Sequence, residues 1–110
     1  MPKRSCALLL EDILTSIDKI NRYVSGLNKV KFLDDEKTVD AVIRNLEIIG
    51  EASRQLPEDF KESNGEIPWH EIAGLRNRVV HDYMGVDLEI VWHIISKELG
   101  MLKLQIQQLR

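Results

Sequence analysis

Residues 34–56 read DDEKTVDAVIRNLEIIGEASRQL. Within them Val39, Val42, Leu46, Ile49, Ala52 and Leu56 recur at steps of three and four, the spacing that lines one face of an α-helix with apolar side chains. The acidic opening Asp34, Asp35 and Glu36 suits the positive end of a helix dipole, and Pro57 ends the helix. A helix with one apolar stripe cannot bury that stripe alone, so the rest of the chain must supply its partners.

Upstream, Leu9, Ile13, Ile17, Ile20 and Val24 keep the same period until Gly26, which predicts a first helix; Asn28 to Leu33 reads as a loop. Downstream, the polar stretch Glu58 to Glu66 contains the turn dipeptide Asn64-Gly65, with room for one short helical turn over Glu58 to Lys61. Pro68 suits the first turn of a short third helix carrying Trp69, Ile72, Leu75 and Val79. Asp87 is a candidate N-cap for a fourth helix on which Leu88, Val91, Ile95, Leu99, Leu102, Ile106 and Leu109 share a face, with Gly100 as its weak point. No strand-like alternation of useful length and no internal repeat interrupts this pattern. Four amphipathic stripes on short loops can be buried only against one another, so the expected fold is all-α, a four-helix bundle with neighbouring helices antiparallel.

A chain of 110 residues suits one domain, 1–110, with a modest core. The longest apolar run, Ala7 to Leu10, is far short of a bilayer span, and Glu11 and Asp12 cut it off before any signal-peptide cleavage site, so no membrane association and no leader are expected. The single Cys6 excludes an internal disulfide and a multi-cysteine metal site, and fits a cytoplasmic protein. A net charge of -3 argues against nonspecific coating of nucleic acid, which depends on neutralising many phosphates. Any RNA contact must be a local patch.

The densest polar chemistry lies in Gly74-Leu75-Arg76-Asn77-Arg78-Val79-Val80-His81-Asp82-Tyr83. This segment resembles the Arg-X4-His-X-Tyr motif of HepT-like proteins of the HEPN superfamily. The resemblance extends through Arg44-Asn45-Leu46-Glu47-Ile48-Ile49-Gly50-Glu51-Ala52, Ile67-Pro68-Trp69 and Gly85-Val86-Asp87-Leu88-Glu89-Ile90-Val91-Trp92, from roughly Val39 to Leu102. It implies a ribonuclease toxin of a toxin–antitoxin pair that works as a symmetric homodimer with two motifs facing each other across the interface. It further implies catalytic Arg76 and His81, and a nucleotidyltransferase antitoxin as partner. That partner, using ATP and magnesium, transfers AMP to Tyr83; the chain itself needs no metal or cofactor.

Without the resemblance, the residues say less. On one straight helix, at about 100° per residue, Arg76 and Tyr83 lie nearly in line while His81 points about 140° away from Arg76. Either the helix unwinds near His81, or a second copy of the motif completes the site; the resemblance implies the second. Metal-free RNA cleavage needs a base for the 2′-hydroxyl, an acid for the leaving 5′-oxygen and positive charge on the phosphate. An imidazole titrates at about 6.5, so two His81 copies could divide the acid and base roles, while Arg76 grips phosphate oxygens. Asn77 could orient a ribose or phosphate oxygen, and Arg78 could add positive charge.

The plainer readings are that Arg76 and His81 are ordinary residues at a helix end, that Tyr83 packs, and that Arg44, Glu47 and Glu51 form a solvated ion-pair ladder on one helix face. In the HepT-like family that face lines the cleft, which implies a supporting role for Arg44, Glu47 and Glu51, one carboxylate orienting Arg76. His70 and His93 have no metal-ligand partner at useful spacing and read as surface or packing residues. Two functions compete: a metal-independent endoribonuclease, and a non-catalytic, nucleotide- or RNA-binding helical subunit of a small nucleotidyltransferase. A purely structural adaptor leaves the polar cluster unexplained.

Overall fold

A computed structural model describes residues 4–81 and 85–109. Its elements in chain order are α1 (Cys6–Val24), α2 (Lys29–Leu33), α3 (Glu36–Gln55), α4 (Glu58–Ser63), α5 (Trp69–Ala73), α6 (Leu75–Val79), β1 (Val80–His81), β2 (Gly85–Val86), α7 (Leu88–His93), a π-helical turn (Ile94–Glu98) and α8 (Leu99–Gln107). The fold is mostly helical.

Each main helix starts where a short polar side chain can satisfy a free backbone N–H. Ser5 Oγ accepts from the Leu8 amide at 3.2 Å to open α1. Asp35 accepts from the Thr38 amide at 3.1 Å and from the Thr38 hydroxyl at 2.8 Å to open α3. These two bonds hold the Asp35 carboxyl below its usual pKa, the amide contributing most. Asp87 accepts from the Ile90 amide at 3.1 Å, the cap expected for the last helix.

The apolar stripes meet as one buried cluster. Ile13, Ile17 and Ile20 of α1 and Val42, Leu46 and Ile49 of α3 are fully buried, and α1 lies along α3 as its main partner. The other side of α3 receives α5 and α6, while α8 closes on α1. Gly50 permits the approach of α5: a Cβ there would stand 3.2 Å from the Ile72 carbonyl oxygen and 3.3 Å from that of Ala73. Leu8, Val30, Val86, Met101 and Leu104 remain exposed. Val80 is half-buried, and so is Trp92, whose ring centroid lies 5.3 Å from that of Phe32.

Several expectations give way. The stretch read as a loop, Asn28 to Leu33, contains α2, because Asn28 caps it through the Lys31 amide at 2.9 Å and Phe32 is fully buried. The third helix is broken at Gly74 into α5 and α6, and it ends at Val79, where the backbone turns extended (Val80 φ -109°, ψ 120°). A strand pair then follows, although the sequence carries no alternation to announce it: Val80 pairs with Val86 and His81 with Gly85, antiparallel. Gly85 has φ +78°, a left-handed conformation that favours glycine. The last helix is irregular over Ile94–Glu98, one turn before the weak point expected at Gly100.

Candidate functional site

The polar face of α3, the start of α1 and the junction of α5 with α6 enclose a cavity of about 390 Å³. Arg44, Glu47 and Glu51 from α3 line it together with Arg76 and Asn77 from α6. Five of the eight residues singled out in the sequence therefore share one cavity, although two stretches 25 or more positions apart supply them. The contact of α3 with α5 and α6 across Gly50 produces this juxtaposition, since the side chains on both sides of that contact face the same opening.

The charges in the cavity are paired unevenly. Arg54 Nη1 donates to Glu51 at 2.7 Å, and its Nη2 donates to the Ala73 carbonyl at 2.6 Å, tying α3 to the last residue of α5. Arg4 makes a two-pronged bond to Asp12, at 2.9 and 3.0 Å. Among the described residues, neither Arg44 nor Arg76 forms an ion pair or a side-chain hydrogen bond. The expected ladder of Arg44 with Glu47 and Glu51 does not form, and neither carboxylate pairs with Arg76; Glu51 is held by Arg54 instead. The cavity thus presents two guanidiniums with unused donors, and guanidinium is the side-chain group best matched to the paired oxygens of a phosphate.

The other three residues lie elsewhere. Arg78 turns its guanidinium to Glu98, at 2.8 and 2.9 Å, so its charge is balanced at the π-helical turn. This pairing holds Glu98 below the usual carboxylate range and raises Arg78, in both cases chiefly through the shared hydrogen bonds. His81 is exposed on β1 and does not line the cavity. Unwinding after Val79 removes the straight-helix geometry that set Arg76 in line with Tyr83, and Tyr83 itself lies outside the described residues.

Arg54, Arg4 and Asp12 are cavity residues that the sequence reading missed. Arg54 had a signal: it stands seven positions after Glu47, two helical turns along the same face. Arg4 and Asp12 had none, because only the packing of α1 on α3 places them at the cavity.

Comparison with known proteins gives the family. Residues 13–109 match the family model described as HepT-like, Ribonuclease HepT-like. The chain is 44% identical over 108 residues to a protein of Thermococcus cleftensis named "Probable ribonuclease HepT", covering 98% of each. It is 39% identical over 100 residues to "Putative RNase TTE0752" of Caldanaerobacter subterraneus subsp. tengcongensis, covering 91% of this chain and 89% of that one. No solved structure matches. The chain belongs to the HepT-like ribonuclease family.

Proposed function

We propose that this chain is a metal-independent endoribonuclease, the toxin of a HepT-type toxin–antitoxin pair acting in the cytoplasm. The observation that carries the reading is the pair of unengaged guanidiniums, Arg44 and Arg76, in one cavity beside Asn77, in a member of the HepT-like family. Arg76 and Arg44 bind the scissile phosphate and stabilise the charge that builds on it. Asn77 orients a ribose or phosphate oxygen. His81 takes the 2′-hydroxyl proton and a second His81 protonates the leaving 5′-oxygen.

Because His81 stands outside the cavity of its own chain, the reading includes a symmetric homodimer in which Arg76 and His81 of both subunits meet in one cleft. Each subunit is a single domain over residues 1–110, an antiparallel four-helix bundle built on α1, α3, the α5–α6 pair and the α7–α8 helix. A nucleotidyltransferase antitoxin, using ATP and magnesium, controls the enzyme by attaching AMP to Tyr83.

The exposed position of His81 also favours a second reading, a non-catalytic partner subunit of that nucleotidyltransferase. One experiment separates the two. RNA incubated with the purified protein in EDTA is expected to give fragments ending in 2′,3′-cyclic phosphate, and His81→Ala is expected to give none. Cleavage that survives His81→Ala, or that requires added magnesium, overturns the mechanism; a wild type that cleaves no RNA leaves the partner-subunit reading.

A further inference from the structure

A second cavity, of about 570 Å³, adjoins the first and shares Arg54, Ala73 and Asn77 with it. Its size falls within the range of ligand sites, roughly 300–1,000 Å³. Its character differs from that of its neighbour. The first cavity offers two guanidiniums without partners, whereas here Arg54 is already held by Glu51 and Lys61 faces Glu58 and Glu62, with Lys61 Nζ 3.5 Å from Glu58 Oε1. A phosphate therefore has little reason to prefer it.

The rest of its wall suits a flat, weakly polar group. His70 is exposed there, and Trp69 beside it is buried with its indole N–H already donated to the Asn64 carbonyl at 3.1 Å. At Gly74 no side chain projects into the space. Imidazole is one of the rings on which unpaired bases stack in RNA-binding proteins. The carboxylates of Glu58 and Glu62 only accept hydrogen bonds, so they complement the amino groups of guanine, adenine or cytosine, and uracil has none to offer.

We infer that this second cavity is a nucleobase subsite of the same RNA site. With the scissile phosphate on Arg44 and Arg76, a neighbouring unpaired base crosses the ridge formed by Arg54 and Asn77 and stacks on His70. Its exocyclic amine then faces Glu58 and Glu62. The alternation of a cavity with free positive charge and one without follows the alternation of phosphate and base along a single strand. This inference rests on the ribonuclease reading, and it adds that the enzyme acts on single-stranded RNA with a preference for an amino-bearing base at one flanking position.

The test is binding of fluorescein-labelled pentaribonucleotides by the full chain, followed by anisotropy. Each 2′-hydroxyl is O-methylated so that cleavage cannot occur, and each base in turn is replaced by an abasic residue. In the wild type, loss of one particular base is expected to weaken binding at least about fivefold, the scale of one stacking contact. His70→Ala is expected to weaken the intact probe by a similar factor and to bind that abasic probe as the wild type does, since both changes remove the same contact. His70 is exposed, so its truncation should leave thermal unfolding unchanged. The Glu58→Gln/Glu62→Gln double variant is expected to lose the preference for an amino-bearing base over uracil.

The subsite is overturned if no single base matters, if the effects of base removal and His70→Ala multiply independently, or if the double variant keeps the preference. A folded wild type that binds no probe overturns the ribonuclease reading itself.

Discussion

Arg78 and Glu98, on α6 and the π-helical turn, share two hydrogen bonds of 2.8 and 2.9 Å, and His93 Nε2 lies 3.4 Å from the same carboxylate. On a regular α-helix, His93 and Glu98 would point about 140° apart. The π-helical turn, with its wider winding, puts both on one side, where Arg78 can bind the carboxylate and anchor the end of α6 from which β1 departs.

This pair makes stability depend on acid in a defined direction. Hydrogen bonds from Arg78 lower the folded pKa of Glu98 below its unfolded value of about 4.5, so the stabilisation is complete above that pH and is lost as pH falls through the lower folded value. Glu98→Gln is expected to reduce stability at pH 7 by about 0.5–1 kcal/mol, a modest figure because both side chains are about a third exposed. Urea unfolding of both proteins from pH 7 to pH 3 should show the difference shrinking below about pH 4.5. A difference that stays constant with pH contradicts the assignment.

Two helical glycines should respond oppositely to alanine. At Gly100 a Cβ meets nothing within 4 Å, so Gly100→Ala is expected to stabilise by up to about 1 kcal/mol through helix propensity. At Gly50 the same methyl presses on the carbonyl oxygens of Ile72 and Ala73, backbone atoms that cannot swing aside. Gly50→Ala is expected to destabilise by about 1–3 kcal/mol despite better propensity. It should also weaken RNA cleavage, because Ala73 anchors Arg54 beside the cavity. Denaturation midpoints of the two variants decide the signs.

Arg76→Ala is expected to lower the cleavage rate by about 10²-fold or more, the scale of losing a charged donor to the transition state. Arg44→Ala should cost less, about tenfold, with a flatter dependence of RNA binding on salt. Both should leave the circular dichroism spectrum unchanged, since neither guanidinium holds another side chain. Single-turnover kinetics against salt concentration would measure both effects, and an Arg44→Ala enzyme with wild-type kinetics and salt slope removes Arg44 from the site.

If the site uses the His81 residues of both subunits, one inactive subunit should silence its whole dimer. Wild type mixed equally with His81→Ala, after subunit exchange, should keep about a quarter of the activity of the same amount of wild type, because only a quarter of the dimers hold two intact His81 residues. Light scattering should give about twice the chain mass for each protein. If half of the activity remains, each site works with a single His81.

Control through Tyr83 is expected to be covalent. After incubation with the nucleotidyltransferase, ATP and magnesium, mass spectrometry should show AMP on Tyr83, with cleavage lost in parallel as the added charge and bulk meet the cleft. Tyr83→Phe should remain active and escape inhibition. If the partner silences that variant equally well, binding alone is the control.

Helical periodicity was legible without the structure because it is local: Val39 to Ala52 on α3 and Leu88 to Ile106 on the last helix alternate with the turn of the helix they occupy. Asp87 declared its cap by position for the same reason. The polar set Arg44, Glu47, Glu51, Arg76 and Asn77 could also be picked out by residue type. Which charges pair could not, because an ion pair is decided by three-dimensional approach: Glu51 chose Arg54, Arg78 chose Glu98, and Arg44 and Arg76 were left to face the cavity. The strand pair after Val79 and the π-helical turn escaped for a related reason. Two paired residues carry no period, and the irregular winding places Glu98 against an arginine twenty positions away. Local pattern determined the helices, and tertiary contact across Gly50 decided which of their side chains share a site.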